Sequence, residues 1–365
     1  MTIYLLILFG LYFVSLCILR IGWSKAGAKM KTDRLNTCRF ITVVIPIRNE
    51  ERSLGPLLRS LANQNYLKKN FEVIIVDDHS TDGSIEICNG SLQNLTVHPL
   101  GQLEKGKKAA LAHGIYFAKG EIIATTDADC VLPPDWLMNV NAAFQNERIT
   151  MAAGMVVIED TNTFFSCWQA MEFASVMGTG VAAFGLNRPL MCNGANLSYR
   201  KKVFDEVKGY EGNNTMASGD DEFLMRKILK RFPNSIQLIN SVVVTQPQAS
   251  IRNFLQQRIR WASKWKGNPS LGAKMVAVFI FFMQVSWILF FSTFYRFNPK
   301  IVFTLLMLKI MADLLFLWPV FRFLDVRFKL MPFLGLQLFY PFYVILVGLL
   351  APWTSYHWKG RKILH

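Results

Sequence analysis

The sequence predicts an α/β fold: a mostly parallel sheet domain set between transmembrane helices at both ends of the chain. Three observations carry this. Uncharged apolar stretches crowd the two ends, whereas most acids fall between Glu50 and Glu222. From Phe40 onward, short apolar runs alternate with helical patterns, as βαβ units do. The composition is 52% hydrophobic and 18% charged over 365 residues, too apolar for disorder and unlike a collagen or a disulfide scaffold.

The first apolar stretch, residues 3–19, carries no charge, and Arg20, Lys25, Lys29, Lys31, Arg34 and Arg39 follow it. Hydrocarbon accepts such a run, and the positive charge after it holds that side in the cytoplasm. A cleaved signal peptide would need basic residues before the run, so residues 1–22 are read as a retained anchor. About three further helices are expected in residues 271–356, over 275–295, 301–321 and 333–353. Lys309 and Asp313 stand four apart in the second of these, close enough to neutralise one another. Four spans would put the tail outside, yet it bears Lys359, Arg361 and Lys362. Either a Pro-containing segment is re-entrant or the tail breaks the charge rule. The six cysteines show no metal-ligand spacing and should stay reduced in a cytoplasmic domain.

The middle domain is placed at residues 40–248. Strands are expected at 41–46, 71–76, 95–98, 121–126 and 151–158, with helices at 53–63, 84–89, 107–118 and 134–145 between them. Strands apolar on both faces and joined by helices form parallel sheets, which bind ligands beyond the carboxyl ends of their strands. Acids concentrate at those ends. The first strand runs through Pro46 into Arg48-Asn49-Glu50, the second into Asp77-Asp78, and the fourth into Asp127-Ala128-Asp129.

Two carboxylates two residues apart, such as Asp127 and Asp129, can hold one Mg²⁺ or Mn²⁺ and leave positions open for a diphosphate. Strand-end acids also act as turn formers and caps, and Ser80, Thr81 and Asp82 fit that second role before the following helix. Lys107, in Lys105-Gly106-Lys107-Lys108, either meets phosphate or belongs to a solvated charge run. Asp220 and Asp221 open an amphipathic helix. They serve as a cap, with Ser218 and Asp221 like a capping box, or as a general base for an acceptor hydroxyl. Gln257, Arg260 and Trp261 lie in a basic, aromatic helix within an interfacial segment at 249–270; it rests on the headgroups or faces an acceptor sugar and a diphosphate. Residues 164–184 form an apolar helix with a lone Glu172, read as a domain helix because that charge would be costly in lipid.

Taken in order, these pieces resemble the membrane-anchored family 2 (GT-A fold) inverting glycosyltransferases, the group of cellulose, chitin and hyaluronan synthases and ceramide glucosyltransferase. The resemblance runs over residues 42–266: Pro46 to Glu50, Asp77-Asp78-x-Ser-x-Asp, Lys105-Gly106-Lys107, Asp127-x-Asp129, Gly194-Ala195-Asn196, Gly219-Asp220-Asp221 and Gln257-x-x-Arg260-Trp261. It implies a GT-A, Rossmann-like domain that takes a UDP-sugar. Pro46, Glu50, Asp77, Asp78, Lys107 and Asp127 would serve the donor nucleotide, and Asp127 and Asp129 the metal. Asp221 would be the base, with Asp220 supporting it. Asn196, Gln257, Arg260 and Trp261 would serve acceptor and diphosphate. His79 departs from the pattern, standing where the family usually has Gly.

The implied reaction is an in-line displacement giving a β-linked product from an α-linked donor, with a lipid or membrane-associated glycan as acceptor. The formal charge of +15 suits both an anionic nucleotide and an anionic leaflet. No nucleic-acid partner is expected, and an oligomer is compatible with the sequence. The setting is an integral membrane protein with its catalytic domain in the cytoplasm, in a bacterial plasma membrane. Two alternatives stand beside this reading. One is a processive β-glycan synthase, which three C-terminal spans serve poorly. The other is a transporter with a nucleotide-binding domain, supported only by Lys309 and Asp313.

Overall fold

A computed structural model describes residues 2–30, 37–212, 219–263, 271–292, 298–353, 356–358 and 361–363. In chain order the elements begin α1 (Thr2–Lys29), β1 (Ile41–Ile47), α2 (Leu54–Ala62), β2 (Phe71–Asp77), α3 (Ser84–Cys88), β3 (Leu95–Pro99), α4 (Lys107–Phe117) and β4 (Ile122–Thr125). Next come β5 (Cys130–Val131), α5 (Trp136–Ala143), β6 (Met151–Ile158), α6 (Phe164–Gly185), β7 (Leu197–Arg200), α7 (Lys201–Glu206), α8 (Asp220–Arg231) and β8 (Ile236–Thr245). The chain continues through α9 (Ile251–Ser263), α10 (Leu271–Ser292), α11 (Pro299–Phe323) and α12 (Leu330–Leu350).

These elements form two compact units, one made of Ala28–Val157, Met191–Gln246 and His357–His365, the other of Met1–Gly27, Ile158–Leu190 and Pro247–Tyr356. In the first unit the eight-stranded sheet has the order β3-β2-β1-β4-β7-β6-β8-β5. Strands β3, β2, β1 and β4 run parallel, as their alternation with helices requires. Beyond β4 the sheet turns antiparallel through β7 and β6. β1 is buried along almost its whole length, which is why Ile41–Ile47 reads as a continuous apolar run rather than an alternating one. Helix α2 covers the sheet with Leu54, Leu57, Leu58 and Leu61, a single face at spacings of three and four.

Register fixes where the chemistry gathers. Ile47 pairs with Asp77 and Val44 with Thr125, so the carboxyl ends of β1, β2 and β4 finish on one edge. Pro46 lies past the last β1–β4 pair, where a missing N–H interrupts nothing on that side.

The second unit holds the apolar helices. Among the described residues, four are long and apolar enough to cross a membrane: Ile7–Ala28, Leu271–Phe290, Pro299–Phe323 and Leu330–Leu350. Helix α6 belongs with them, not with the sheet as the sequence reading of residues 40–248 expects. The reason is that Glu172 does not meet lipid as a bare charge. Its carboxylate, 2% exposed, is paired with Arg258, 4% exposed, and accepts from the Tyr343 hydroxyl at 3.0 Å. α6 and α1 approach until a Cβ on Gly185 would stand 1.8 Å from the Gly22 carbonyl oxygen, so only glycine fits there. Lys309 and Asp313 pair at 2.9 Å, and each has a further partner: Tyr12 donates to Asp313, and Lys309 donates to Gln337. That network ties three apolar helices together, as the mutual neutralisation read from the sequence expects.

Candidate active site

Two loops at the strand ends lock together. Asn49, left-handed at φ 52°, donates its N–H to Ser80 Oγ and accepts from the Thr81 N–H through Oδ1 at 2.8 Å. The Glu50 N–H donates to Ser84 Oγ at 2.7 Å and the Glu51 N–H to Asp82 Oδ2 at 3.1 Å. Asp82 also accepts from the Ser84 N–H, the turn-forming role foreseen for it. Burial tends to raise its pKa, but these hydrogen bonds outweigh that and hold it below the usual carboxylate range.

Asp77 and Asp78 are buried at the end of β2. Asp77 accepts from the Ser80 N–H at 3.1 Å, and Asp78 Oδ2 from the Gly106 N–H at 3.0 Å. His79 takes φ 59°, in the left-handed region that glycine fills most easily. The departure from glycine therefore changes the residue but keeps the bend, and the imidazole Nδ1 reaches Asp78 Oδ1 at 3.1 Å.

The acids distant in sequence meet around Gly194. The Gly194 N–H donates to Asp221 Oδ2 at 3.0 Å, and the Glu222 N–H to Asp221 Oδ1 at 2.7 Å. The point where a Cβ would stand on Gly194 has Asp220 Oδ2 at 3.6 Å, Asp221 Cβ at 3.6 Å and Lys107 Nζ at 3.7 Å. Lys107 Nζ in turn binds Asp127 Oδ1 at 2.5 Å. One ammonium thus stands among Asp127, Asp220 and Asp221. Burial pushes that ammonium down, but the three carboxylates outweigh it and hold its pKa above the ordinary lysine value. Ser218, proposed as a capping partner of Asp221, lies outside the described residues; the residue before α8 is Gly219, which has no side chain to cap with.

Asn196 corrects an expectation. Its side chain is 1% exposed and committed to the framework: Nδ2 donates to the Met155 and Ser241 carbonyls at 2.8 and 3.1 Å, and Oδ1 accepts from Trp136 Nε1 at 2.9 Å. A buried amide satisfied on both ends stabilises the turn it sits on and has little left for an acceptor. That turn carries Gly194. Gly154 makes room, because a Cβ there would lie 2.2 Å from Asn196 Nδ2.

Gln257, Arg260 and Trp261 lie on α9, in the unit of apolar helices. Trp261 packs on Phe173 with centroids 5.5 Å apart, and the Arg258 guanidinium stands 4.3 Å from the Trp261 ring and 4.5 Å from Phe254. Arg258 Nη1 donates to Gln257 Oε1 at 2.5 Å. Sequence reasoning noted Glu172 but missed Arg258 as its partner. The one signal that could have found it is the lone acid of an apolar helix, which needs a cation from somewhere.

Among the described residues no cluster of three or more His, Cys, Asp or Glu side chains forms a metal cage. Asp127 and Asp129 nonetheless fit Mg²⁺ or Mn²⁺ by chemistry. Asp127 already takes a cationic group, and a two-carboxylate site leaves positions for phosphate oxygens. The Cys130 thiol beside them is pushed well up by burial and then by Asp129 and Asp127.

Residues 42–208 match the family model for Glycosyl transferase family 2. Glycosyltransferase AglE of Haloferax volcanii is 23% identical over 228 residues, 62% of this chain and 72% of that one. The undecaprenyl-phosphate 4-deoxy-4-formamido-L-arabinose transferase of Aeromonas hydrophila subsp. hydrophila is 39% identical over 112 residues, 29% of this chain; the match spans only 34% of that relative. Among solved structures, a mannosyltransferase of Pyrobaculum calidifontis in complex with GDP-Man and Mn²⁺ aligns with a TM-score of 0.49 and 17% identity, covering 93% of this chain and 98% of that one. The acid-lined edge of the sheet and the family match lead to one conclusion: residues 42–208 of this chain form a family 2 glycosyltransferase domain, accompanied by helices long and apolar enough to cross a membrane.

Proposed function

We propose that the enzyme transfers a sugar from a UDP-sugar to a lipid or membrane-associated glycan acceptor in one displacement with inversion. The observation that carries this reading is the meeting of Asp127, Lys107, Asp220 and Asp221 at Gly194. It supports a leaving-group site at Asp127 with a base, Asp221, beside it. Pro46, Glu50, Asp77 and Asp78 form the wall for uracil and ribose, and the interlocked loops keep that wall stiff. A Mg²⁺ or Mn²⁺ ion on Asp127 and Asp129 would supply positive charge against the departing diphosphate.

Asp221 takes the proton from the acceptor hydroxyl as the oxygen attacks the anomeric carbon, opposite the diphosphate. An α-linked donor then gives a β-linked product. Two backbone N–H groups fix the orientation of the Asp221 carboxylate, which preorganises it for that transfer. Asp220, buried behind it, adds negative charge that favours the proton's arrival. Gln257, Arg260 and Trp261 are assigned to the diphosphate and the acceptor. A lipid acceptor is supported by the relative named for undecaprenyl phosphate and by the four apolar helices. A cytoplasmic active site, at a bacterial plasma membrane, is supported by the basic residues after α1.

The test is transfer by the purified full chain, with UDP-glucose and UDP-GlcNAc as donors and membrane lipid extract as acceptor, followed by mass spectrometry of the products. Asp221→Asn is expected to lower turnover about 10²–10⁴-fold while UDP binding is kept. Transfer at the wild-type rate by that variant overturns the assignment of the base. A single added sugar supports the proposed reaction, and a ladder of lengths supports the processive alternative.

A further inference from the structure

We propose that Lys107 is a resident counter-cation of the acid cluster, competing with the divalent ion for Asp127 until a donor diphosphate draws its ammonium away. The inference rests on the glycosyltransferase reading above and adds a coupling between its ligands: metal and nucleotide each favour the binding of the other.

Geometry is the first support. Lys107 Nζ holds Asp127 Oδ1 at 2.5 Å and stands 3.7 Å from the Cβ position of Gly194, where Asp220 and Asp221 also converge. A carboxylate whose oxygen is already held by an ammonium offers less negative charge to a second cation, and the ammonium repels that cation. The second support is where the lysine sits. Lys107 is the first residue of α4, a helix with no acid in its first turn. A cation there opposes the helix dipole, whose positive end favours anions. The acids offset that opposition while the site is empty of ligand. A diphosphate offsets it as well, because phosphate suits both the ammonium and the helix start. The side chain is 23% exposed and Asp127 34%, so the pair borders solvent and can exchange partners without unfolding anything.

Two consequences follow. Without nucleotide, Mn²⁺ must displace an ammonium, so its affinity is depressed. With a diphosphate present, the ammonium moves to phosphate, Asp127 is released, and Mn²⁺ binds beside the same phosphate. The lysine thereby couples the two ligands and keeps a bare metal from occupying the site.

The experiment measures Mn²⁺ binding by electron paramagnetic resonance in the detergent-solubilised full chain, with and without UDP. The proteins compared are wild type, Lys107→Met, Lys107→Arg and Asp129→Asn. Lys107→Met is expected to bind Mn²⁺ about tenfold more tightly than wild type when UDP is absent, as removal of one competing charge at this range allows. Its gain on adding UDP should be correspondingly smaller. Lys107→Arg, which keeps the cation, should behave like wild type, so a change in Lys107→Met alone cannot be dismissed as damage to α4. Unchanged Mn²⁺ affinity in Lys107→Met without UDP overturns the inference, while loss of Mn²⁺ in Asp129→Asn still upholds the metal site. If no protein binds Mn²⁺ even with UDP, the metal assignment itself fails and the inference with it.

Discussion

Acids in the two units are handled in opposite ways. In the unit of apolar helices, Glu172 is closed in by Arg258 and Tyr343, and Asp313 by Lys309 and Tyr12. Each of these two acids has a counter-charge and a hydroxyl supplied by other side chains. In the sheet unit, Asp221 and Asp78 are oriented by backbone N–H groups, and a lysine at the edge of solvent stands among three acids. The first arrangement neutralises charge permanently, as a low-dielectric surrounding demands. The second fixes the direction of its carboxylates through the backbone and gathers them at one point beside a lysine. The contrast separates acids that hold a structure from acids arranged to act on something that arrives.

Substitutions can break or sharpen this comparison. The largest effect is expected on activity. Asp221→Asn should cost about 10²–10⁴-fold in turnover with the melting temperature in detergent nearly unchanged; unfolding instead would class Asp221 with the structural acids. Next, Glu172→Ala should destabilise by about 3–5 kcal/mol, because it strands a buried guanidinium. Glu172→Ala combined with Arg258→Leu should recover most of that loss; strictly additive losses in thermal melts would contradict the pairing. Gly154→Ala pushes a methyl against Asn196 and should destabilise by about 1–3 kcal/mol, with activity falling as the Gly194 turn shifts. The smallest effect belongs to Asp82→Asn, about 1 kcal/mol or less. Its folded pKa lies below the unfolded value, so its contribution is present above about pH 4 and fades as pH falls through the folded value. A variant whose melting point tracks wild type at pH 7 and diverges at pH 3 would show the reverse sign and refute the capping role.

Much of the fold was legible in the sequence because buried parallel strands need long apolar runs. The runs at β1, β2 and β6 announce themselves, and the strand-end acids follow from where such runs stop. β7 and β8 were harder. They continue the sheet antiparallel, and β8 alternates with serine and asparagine, a pattern that suits an exposed segment equally well. Asp77, Asp82 and Asp127 could be placed from local spacing. That Asp221 lies on the Gly194 N–H could not, because a contact between a turn and a helix start depends on how β7 returns to β4. The Asn196 side chain was misjudged for the same kind of reason. A polar residue in a motif reads as a ligand contact, and only the surrounding Trp136, Met155 and Ser241 show its hydrogen bonds already taken. The placement of α6 turned on Arg258, a partner far away in sequence.

The grip on Arg258 has a mechanical result. Its guanidinium is bound to α6 through Glu172, Glu172 is bound to α12 through Tyr343, and the same guanidinium lies over Trp261. α9 therefore cannot roll about its own axis without dragging both partners, and a tilt of α12 is carried to the indole as a lever carries a push.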